Sequence, residues 1–145
     1  MSLFVLDVNV VLAAFRDDHA QHVAMRQWFE GLTIGAHTFS IPNVVWASFL
    51  RLVTNRHAFP VPTPVDEAFA YVEAIRAQPN HRVLEPGPQH LGLLLRLCRE
   101  ANATGDLVPD AVLAAIALEH GCAVASLDRD FARFTSIDHV IPAAA

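Results

Sequence analysis

Lysine is absent from this sequence of 145 residues, so all ten basic residues are arginine. The absence excludes every mechanism that needs an amine side chain, including Schiff bases, the lysine of a phosphate-binding loop and the lysine of phospho-acceptor receiver domains. Cysteine is scarce, and both Cys98 and Cys122 lie in apolar segments typical of buried, reduced thiols. We therefore assign no chemistry to either thiol.

Long apolar runs are also missing. No stretch approaches the roughly 18 apolar residues needed to cross a bilayer, and the N-terminus lacks the basic region and cleavage site of a secretory signal. We expect a cytoplasmic protein without a membrane segment. The content of 53% apolar and 17% charged residues suits one compact domain over residues 1–145. The net charge of −5 gives no general attraction to nucleic acid, so such a substrate requires local arginine patches or a bound cation.

Short apolar strands alternate with helical segments along the chain. Strands are predicted at residues 3–8, 38–41, 83–84, 123–126 and 139–142. Helical periodicity is predicted in a short segment capped by Asn9, and then at residues 20–34, 45–53, 64–78, 91–98 and 109–120. Thr63 is the predicted cap of the helix that begins at Pro64. The alternation predicts an α/β fold with a parallel sheet covered on both faces, whose sites form at the carboxyl ends of the strands.

Three acids fall at those strand ends or at the following helix start: Asp7, Asp110 and Asp128. Each has an ordinary structural interpretation, since Asp7 can cap a helix, Asp110 can satisfy a helix N-terminus and Asp128 can begin a turn. Together they concentrate negative charge, which is costly unless a cation binds there. Oxygen ligands suit Mg²⁺ or Mn²⁺, and the implied chemistry is phosphodiester hydrolysis by a metal-activated water. The eight histidines show no zinc-site spacing.

Three segments resemble the PIN domain, and more narrowly the VapC toxins of bacterial toxin–antitoxin pairs. They are "LDVNVVLAA", "TGDLVPDAVLAAIALEHGCAVASLDRDFARF" and "VIPA", in the same order as in that family. The resemblance implies a three-layer α/β/α fold with a mostly parallel central sheet. It also implies a Mg²⁺- or Mn²⁺-dependent endoribonuclease, an antitoxin that blocks its active site, an RNA substrate and a homodimer.

The resemblance also assigns candidate site residues. Asp7 matches the first acid of the family, Asp110 the acid at the start of the central helix, and Asp128 the acid after the fourth strand, which together imply the metal ligands. Further polar positions near the cofactor match at Asn9, Ser126 and Asp130. Of these, Asp130 matches a frequent further acid that assists through water.

One position departs from the family pattern. PIN toxins commonly carry a glutamate in the third helix, whereas the corresponding text here is "WASFLRL", with Ser48 or a neighbour in its place. No acid occurs between Glu30 and Asp66. The fourth carboxylate would then come from Asp130, which lies two residues from Asp128, or from Asp106.

Four arginines near these segments are candidates for RNA contact, or alternatively for pairing with surface acids: Arg51, Arg56, Arg129 and Arg133. The missing glutamate also leaves open a catalytically degenerate protein that binds RNA or its antitoxin without cleavage. A phosphatase with an aspartyl nucleophile at Asp7 is disfavoured, because "DVNVV" lacks a second acid two residues on and no lysine is present to hold the phosphoryl group.

Overall fold

A sheet of four short parallel strands forms the centre of the computed structural model, which describes residues 2–143. The strands are β1 (Leu3–Leu6), β2 (Thr38–Ser40), β3 (Ala123–Ala125) and β4 (His139–Val140). Their order across the sheet is β2-β1-β3-β4, so β1 and β3 are neighbours in the middle although more than a hundred residues separate them. Their register pairs Phe4 with Ala123 and Leu6 with Ala125.

Six α-helices of the described chain surround this sheet. They are α1 (Val8–Phe15), α2 (His22–Ile34), α3 (Asn43–Val53), α4 (Val65–Arg76), α5 (His90–Ala101) and α6 (Val108–His120). One group packs α1 against α2 and α3, and α3 against α4, while a second group packs α5 against α6. The predicted α/β fold with three α/β/α layers is confirmed, and the sheet is parallel throughout the described residues.

Helix α6 is central to the core because small apolar residues make it buried on nearly every side. Ala111, Ala114 and Ala115 are fully buried, which lets the helix lie close to β1 and β3. The helix ends at Gly121, whose φ of 67° is the left-handed conformation that glycine adopts without steric cost. Since α6 runs antiparallel to the strands it covers, its N-terminus lies at the carboxyl edge of the sheet.

The predicted strand at residues 83–84 is wrong. Only a single bridge between His81 and Phe39 forms there, with the Arg82 amide donating to the Phe39 carbonyl at 2.7 Å. Prolines at 86 and 88 follow at once, and proline supplies no amide hydrogen to extend a ladder. The short contact still covers the outer edge of β2.

Of the predicted side-chain caps, Asp7 is confirmed, whereas Asn9 and Thr63 are wrong. Asp7, not Asn9, caps α1, because β1 ends at Leu6 and the Asp7 carboxylate accepts the Val8 amide hydrogen at 2.7 Å. Thr63 is buried and its hydroxyl accepts a hydrogen bond from Arg16 at 3.1 Å, so α4 begins without a side-chain cap. Tertiary partners compete successfully with local capping at both positions.

None of the helices described between residues 2 and 143 combines the length and the apolar character that crossing a membrane requires.

Candidate active site

Asp7 lies directly after β1 and is held by hydrogen bonds on both carboxylate oxygens. Its Oδ1 accepts from the Val8 amide at 2.7 Å, and its Oδ2 accepts from the Ser126 hydroxyl at 2.7 Å and from Asn9 Nδ2 at 3.3 Å. Serine and asparagine therefore act on the carboxylate from two different segments. Because Asp7 is half-buried, these hydrogen bonds replace the ones that water would otherwise make to its carboxylate.

Ser126 follows β3 and connects the ends of the two central strands. Its fully buried hydroxyl donates to Asp7 and accepts from Asn9 Nδ2 at 3.1 Å and from the Asp128 amide at 3.0 Å. One donor and two acceptor positions are all that a hydroxyl has, so its capacity is fully used. The Asn9 side-chain oxygen adds a second link by accepting from the Leu127 amide at 3.1 Å.

The pKa of Asp7 is raised from its ordinary value, chiefly because burial penalises the charged form. The hydrogen bonds from Ser126 and Val8 oppose this rise by stabilising the carboxylate, whereas the negative charge of Asp128 adds to it. The charge of His139 opposes the rise as well. Burial and hydrogen bonding therefore act on the pKa of Asp7 in opposite directions, and burial has the larger effect.

Asp110 lies in the first turn of α6, and its pKa is raised to about 7. Partial burial is the largest cause, and the negative charges of Asp7, Asp128 and Asp130 follow in that order. Their influence shows that the fold brings these carboxylates into one electrostatic neighbourhood. Proton binding by Asp110 relieves the repulsion, and a cation would do the same.

Asp128 caps the short 3₁₀ helix Arg129–Arg133 by accepting the Asp130 amide hydrogen at 2.9 Å. The predicted turn interpretation is therefore correct, and it coexists with the acid cluster. Buried Phe131 anchors the 3₁₀ segment in the core. The guanidinium of Arg133 donates to the Ala101 carbonyl at 2.6 Å, which joins the same segment to the end of α5.

A cavity of about 220 Å³ opens where β1, α3 and α6 meet. Asp7 and Asp110 line one side of it, while Ser48 and Arg51 of α3 line the other. Ser48 therefore shares a cavity with the two acids, and it lies in the segment where the sequence comparison with PIN toxins predicts a glutamate, at position 48 or a neighbour. The α3 side of this cavity contains no acid.

The oxygen donors of the cavity suit a hard divalent cation, because Asp7 and Asp110 line it and the negative charges of Asp7, Asp128 and Asp130 raise the pKa of Asp110. Within residues 2–143, no three side chains among His, Cys, Asp and Glu lie close enough to form a ready-made group of metal ligands. Mg²⁺ commonly takes only one or two protein carboxylates and fills its shell with water and phosphate oxygens. The chemistry of the residues fits such an ion.

The structure sorts the other sequence candidates. Asp130 contributes to the charge that acts on Asp110, whereas exposed Asp106 is not among the charges that raise its pKa. Arg133 is committed to a backbone carbonyl. His139 was not identified from sequence: its Nε2 donates to the Ser126 carbonyl at 3.0 Å. The signal was the pairing of β4 with β3, which places His139 opposite Val124.

Comparison with known proteins places these observations in a family. A sequence model of the PIN domain matches residues 4–136. Ribonuclease VapC25 of Mycobacterium tuberculosis is 59% identical over 140 residues, which cover 97% of this chain and 99% of that protein.

Two solved structures share the fold at low sequence identity. The VapBC2 structure from Rickettsia felis, bound to a DNA fragment from its promoter, aligns with a TM-score of 0.70 at 12% identity, over 95% of this chain and 97% of that one. A toxin–antitoxin complex from Klebsiella pneumoniae aligns with a TM-score of 0.62 at 16% identity over the full length of both chains.

Proposed function

The chain belongs to the PIN domain family, and from this premise we propose that it is a metal-dependent endoribonuclease, the toxin of a toxin–antitoxin pair. The observation that supports the proposal is the cavity that Asp7 and Asp110 share, together with the charges of Asp7, Asp128 and Asp130 that raise the pKa of Asp110. Its full-length likeness to Ribonuclease VapC25 supports RNA as the substrate. Cytoplasmic action is inferred from that substrate.

We assign the cation, Mg²⁺ or Mn²⁺, to Asp7, Asp110 and Asp128, with Asp130 contributing through water. Such an ion supplies Lewis acidity toward the scissile phosphate and makes water acidic enough to attack phosphorus at neutral pH. Ser126 and Asn9 keep the Asp7 carboxylate oriented, because both donate to its Oδ2. Asp110 exchanges a proton near neutral pH, so its charge is set by whatever shares the cavity.

We propose a partner antitoxin that covers the acid-lined cavity, and a homodimer as the form of the toxin. Support for the antitoxin comes from the structural neighbours, which are complexes of toxin with antitoxin or of VapB with VapC. The net charge of −5 and the acids whose charges act on Asp110 favour a basic segment as the covering group.

A catalytically degenerate protein that binds RNA or antitoxin without cleavage is the second candidate function. The observation in its favour is the α3 side of the cavity, where Ser48 stands and no acid is present. The loss of one carboxylate weakens a cation site, because ligand number and charge set the affinity of oxygen sites.

Calorimetric titration with Mn²⁺ tests the proposal when it is combined with RNA cleavage on the same antitoxin-free preparations. We expect the wild type to bind Mn²⁺ and to cleave bacterial RNA, and Asp7→Asn to lose about 10³-fold in cleavage rate. Asp66→Asn, which changes an exposed acid in the first turn of α4, is the matched control and should behave as wild type.

Each other result decides against the ribonuclease. Mn²⁺ binding without cleavage by the wild type would support the degenerate function. Equal cleavage by the wild type and Asp7→Asn would assign the activity to a contaminating nuclease and contradict the proposal.

A further inference from the structure

An RNA phosphodiester at this site meets the carboxylates of Asp7 and Asp110 and a protein of net charge −5, so it needs positive contacts close to the reacting phosphate. The sequence offered Arg51, Arg56, Arg129 and Arg133 for this role. The structure separates these four by what their guanidinium groups contact and by which of them lines the cavity.

Arg133 donates to the Ala101 carbonyl, so its guanidinium has a structural role. Arg56 and Arg129 are exposed and do not line the cavity that contains Asp7 and Asp110. Arg51 does line it, and no other basic residue does. Position alone therefore distinguishes Arg51 from the other three candidates.

Arg51 is also unpaired within the described chain. The two ion pairs found among residues 2–143 join Arg16 to Asp18 and Arg26 to Glu30, and they leave the Arg51 guanidinium without an acid partner. A guanidinium presents two parallel N–H groups that match two phosphate oxygens. Arg51 is exposed and lines the cavity that contains Asp7 and Asp110, so its donors are available to an incoming anion.

Ser48 completes this side of the cavity. It lies three residues before Arg51, and side chains at that spacing are neighbours on one face of a helix. An acid at position 48 would sit within reach of Arg51 and neutralise it, whereas serine leaves the guanidinium free. Serine also adds a neutral hydroxyl donor. The volume of about 220 Å³ suits a phosphodiester group better than a drug-sized ligand, which takes about 300–1,000 Å³.

We propose that Arg51 and Ser48 form a phosphate-binding subsite on α3, which holds the non-bridging oxygens of an RNA phosphate opposite the acids of β1 and α6. The inference rests on the proposed function, because it takes RNA as the ligand of the same cavity. The subsite also explains what serine does in place of the missing glutamate. The α3 side of the cavity contacts the RNA phosphate, whereas a glutamate there would contact the cation.

A structural role is the competing explanation for Arg51, since it lies in the last turn of α3, where the helix dipole favours a cation. Arg76 provides a matched control. It is an exposed arginine in the last turn of α4 and it does not line the cavity. Replacing either arginine by glutamine removes the same charge from the same position in a helix.

The test measures binding of a fluorescein-labelled, single-stranded mixed-sequence oligoribonucleotide by fluorescence anisotropy across a salt series. The variants are made in the Asp7→Asn background so that the RNA stays intact. We expect Arg51→Gln to weaken binding about tenfold and to lower the salt slope by about 0.7, the value for one phosphate contact to a single strand. Arg76→Gln should weaken binding less than about twofold, and Arg51→Lys should restore only part of the affinity, because lysine restores the charge but not the paired N–H groups.

Equal affinities for Arg51→Gln and Arg76→Gln would overturn the subsite when all variants keep the parental Tm, as would an affinity for Arg51→Lys no higher than that for Arg51→Gln. This result is independent of the cleavage assay. If the wild type cleaves RNA but Arg51→Gln binds like the control, only the subsite fails. If the wild type does not cleave RNA yet binding depends on Arg51, only the nuclease proposal fails.

Discussion

The two carboxylates that line the cavity, Asp7 and Asp110, are held in different ways. Asp7 accepts hydrogen bonds from the Val8 amide, the Ser126 hydroxyl and the Asn9 amide group. Asp110 accepts none from the rest of the described chain, and its pKa rises to about 7 under burial and like charge. Hydrogen bonds keep the first acid oriented and oppose its protonation, whereas the protonation of the second follows its surroundings. The comparison separates a carboxylate fixed by hydrogen bonds, Asp7, from a carboxylate whose protonation depends on its surroundings, Asp110.

Ser126→Ala tests the hydrogen bonds that hold Asp7, and it has the largest expected effect on the free energy of unfolding. The change removes a donor from Asp7 and leaves the Asp128 amide and Asn9 Nδ2 without their acceptor. We expect a loss of about 3 kcal/mol in the free energy of unfolding, because more than one polar group loses a partner. The pKa of Asp7 should rise further, since Ser126 lowers it. Urea unfolding measures the first effect.

Ser40→Ala is the matched control for that change. Ser40 is also fully buried, follows the same edge of the sheet at the end of β2, and its hydroxyl accepts only the Leu84 amide at 3.3 Å. We expect a cost of about 1 kcal/mol and no change in Mn²⁺ affinity. Similar losses for the two variants would show that Ser126 contributes no more than an ordinary buried hydroxyl.

Asp110→Asn tests how the raised pKa of Asp110 affects the stability of the fold. The folded-state pKa of about 7 lies above the ordinary unfolded value, so the folded state binds this proton more tightly and the wild type loses stability as pH rises toward about 7. We expect the variant, in EDTA, to be more stable above about pH 7 by about 1–2 kcal/mol, a figure reduced for the solvent exposure of the group. The difference should disappear below about pH 4, where the unfolded carboxyl is also protonated. Thermal unfolding across pH measures this.

Asp106→Asn controls for removal of an acid from the same region, because Asp106 is exposed and does not act on the pKa of Asp110. We expect its stability difference from wild type to be independent of pH. A pH-dependent gain in Asp106→Asn equal to that of Asp110→Asn would mean that net charge, and not the cavity, causes the effect.

Ser48→Glu sharpens the comparison by adding a third carboxylate to the cavity that Asp7 and Asp110 line. We expect Mn²⁺ affinity to rise about fivefold, equivalent to about 1 kcal/mol, because an added oxygen ligand strengthens a hard-cation site. Calorimetry measures the change. Ala47→Glu, an exposed position on the same helix outside the cavity, should leave the affinity unchanged. Equal gains in both variants would indicate general electrostatic attraction.

Much of this site could be predicted from the sequence because strand ends are local features. Asp7, Asp110 and Asp128 each follow an apolar run or begin one, and parallel strands bring such positions to one edge. Of the two acids offered in place of the missing glutamate, the charge of Asp130 acts on Asp110 and that of Asp106 does not. The ligand roles of these residues and the single domain over the whole chain stay predictions.

The missed features all depend on partners that are distant along the chain. Asn9 looked like a helix cap, yet its side chain bonds the Leu127 amide and the Ser126 hydroxyl. Arg133 looked like a phosphate contact, yet it bonds the end of α5. A local sequence pattern indicates which hydrogen bonds a side chain can make with its neighbours in the chain. It does not reveal the distant hydrogen-bond partner that the fold brings to the same side chain.

The sequence by itself determined the order of the main elements, the parallel α/β class and the acids at the strand ends, because burial patterns and helix boundaries depend on neighbouring residues. Only the tertiary structure decided that Ser126 bonds an Asp7 carboxylate 119 positions away, that Ser48 and Arg51 line the same cavity as Asp7 and Asp110, and that the pKa of Asp110 rises to about 7. Hydrogen bonding and charge repulsion depend on distances through space, and those distances exist only after the strands have paired.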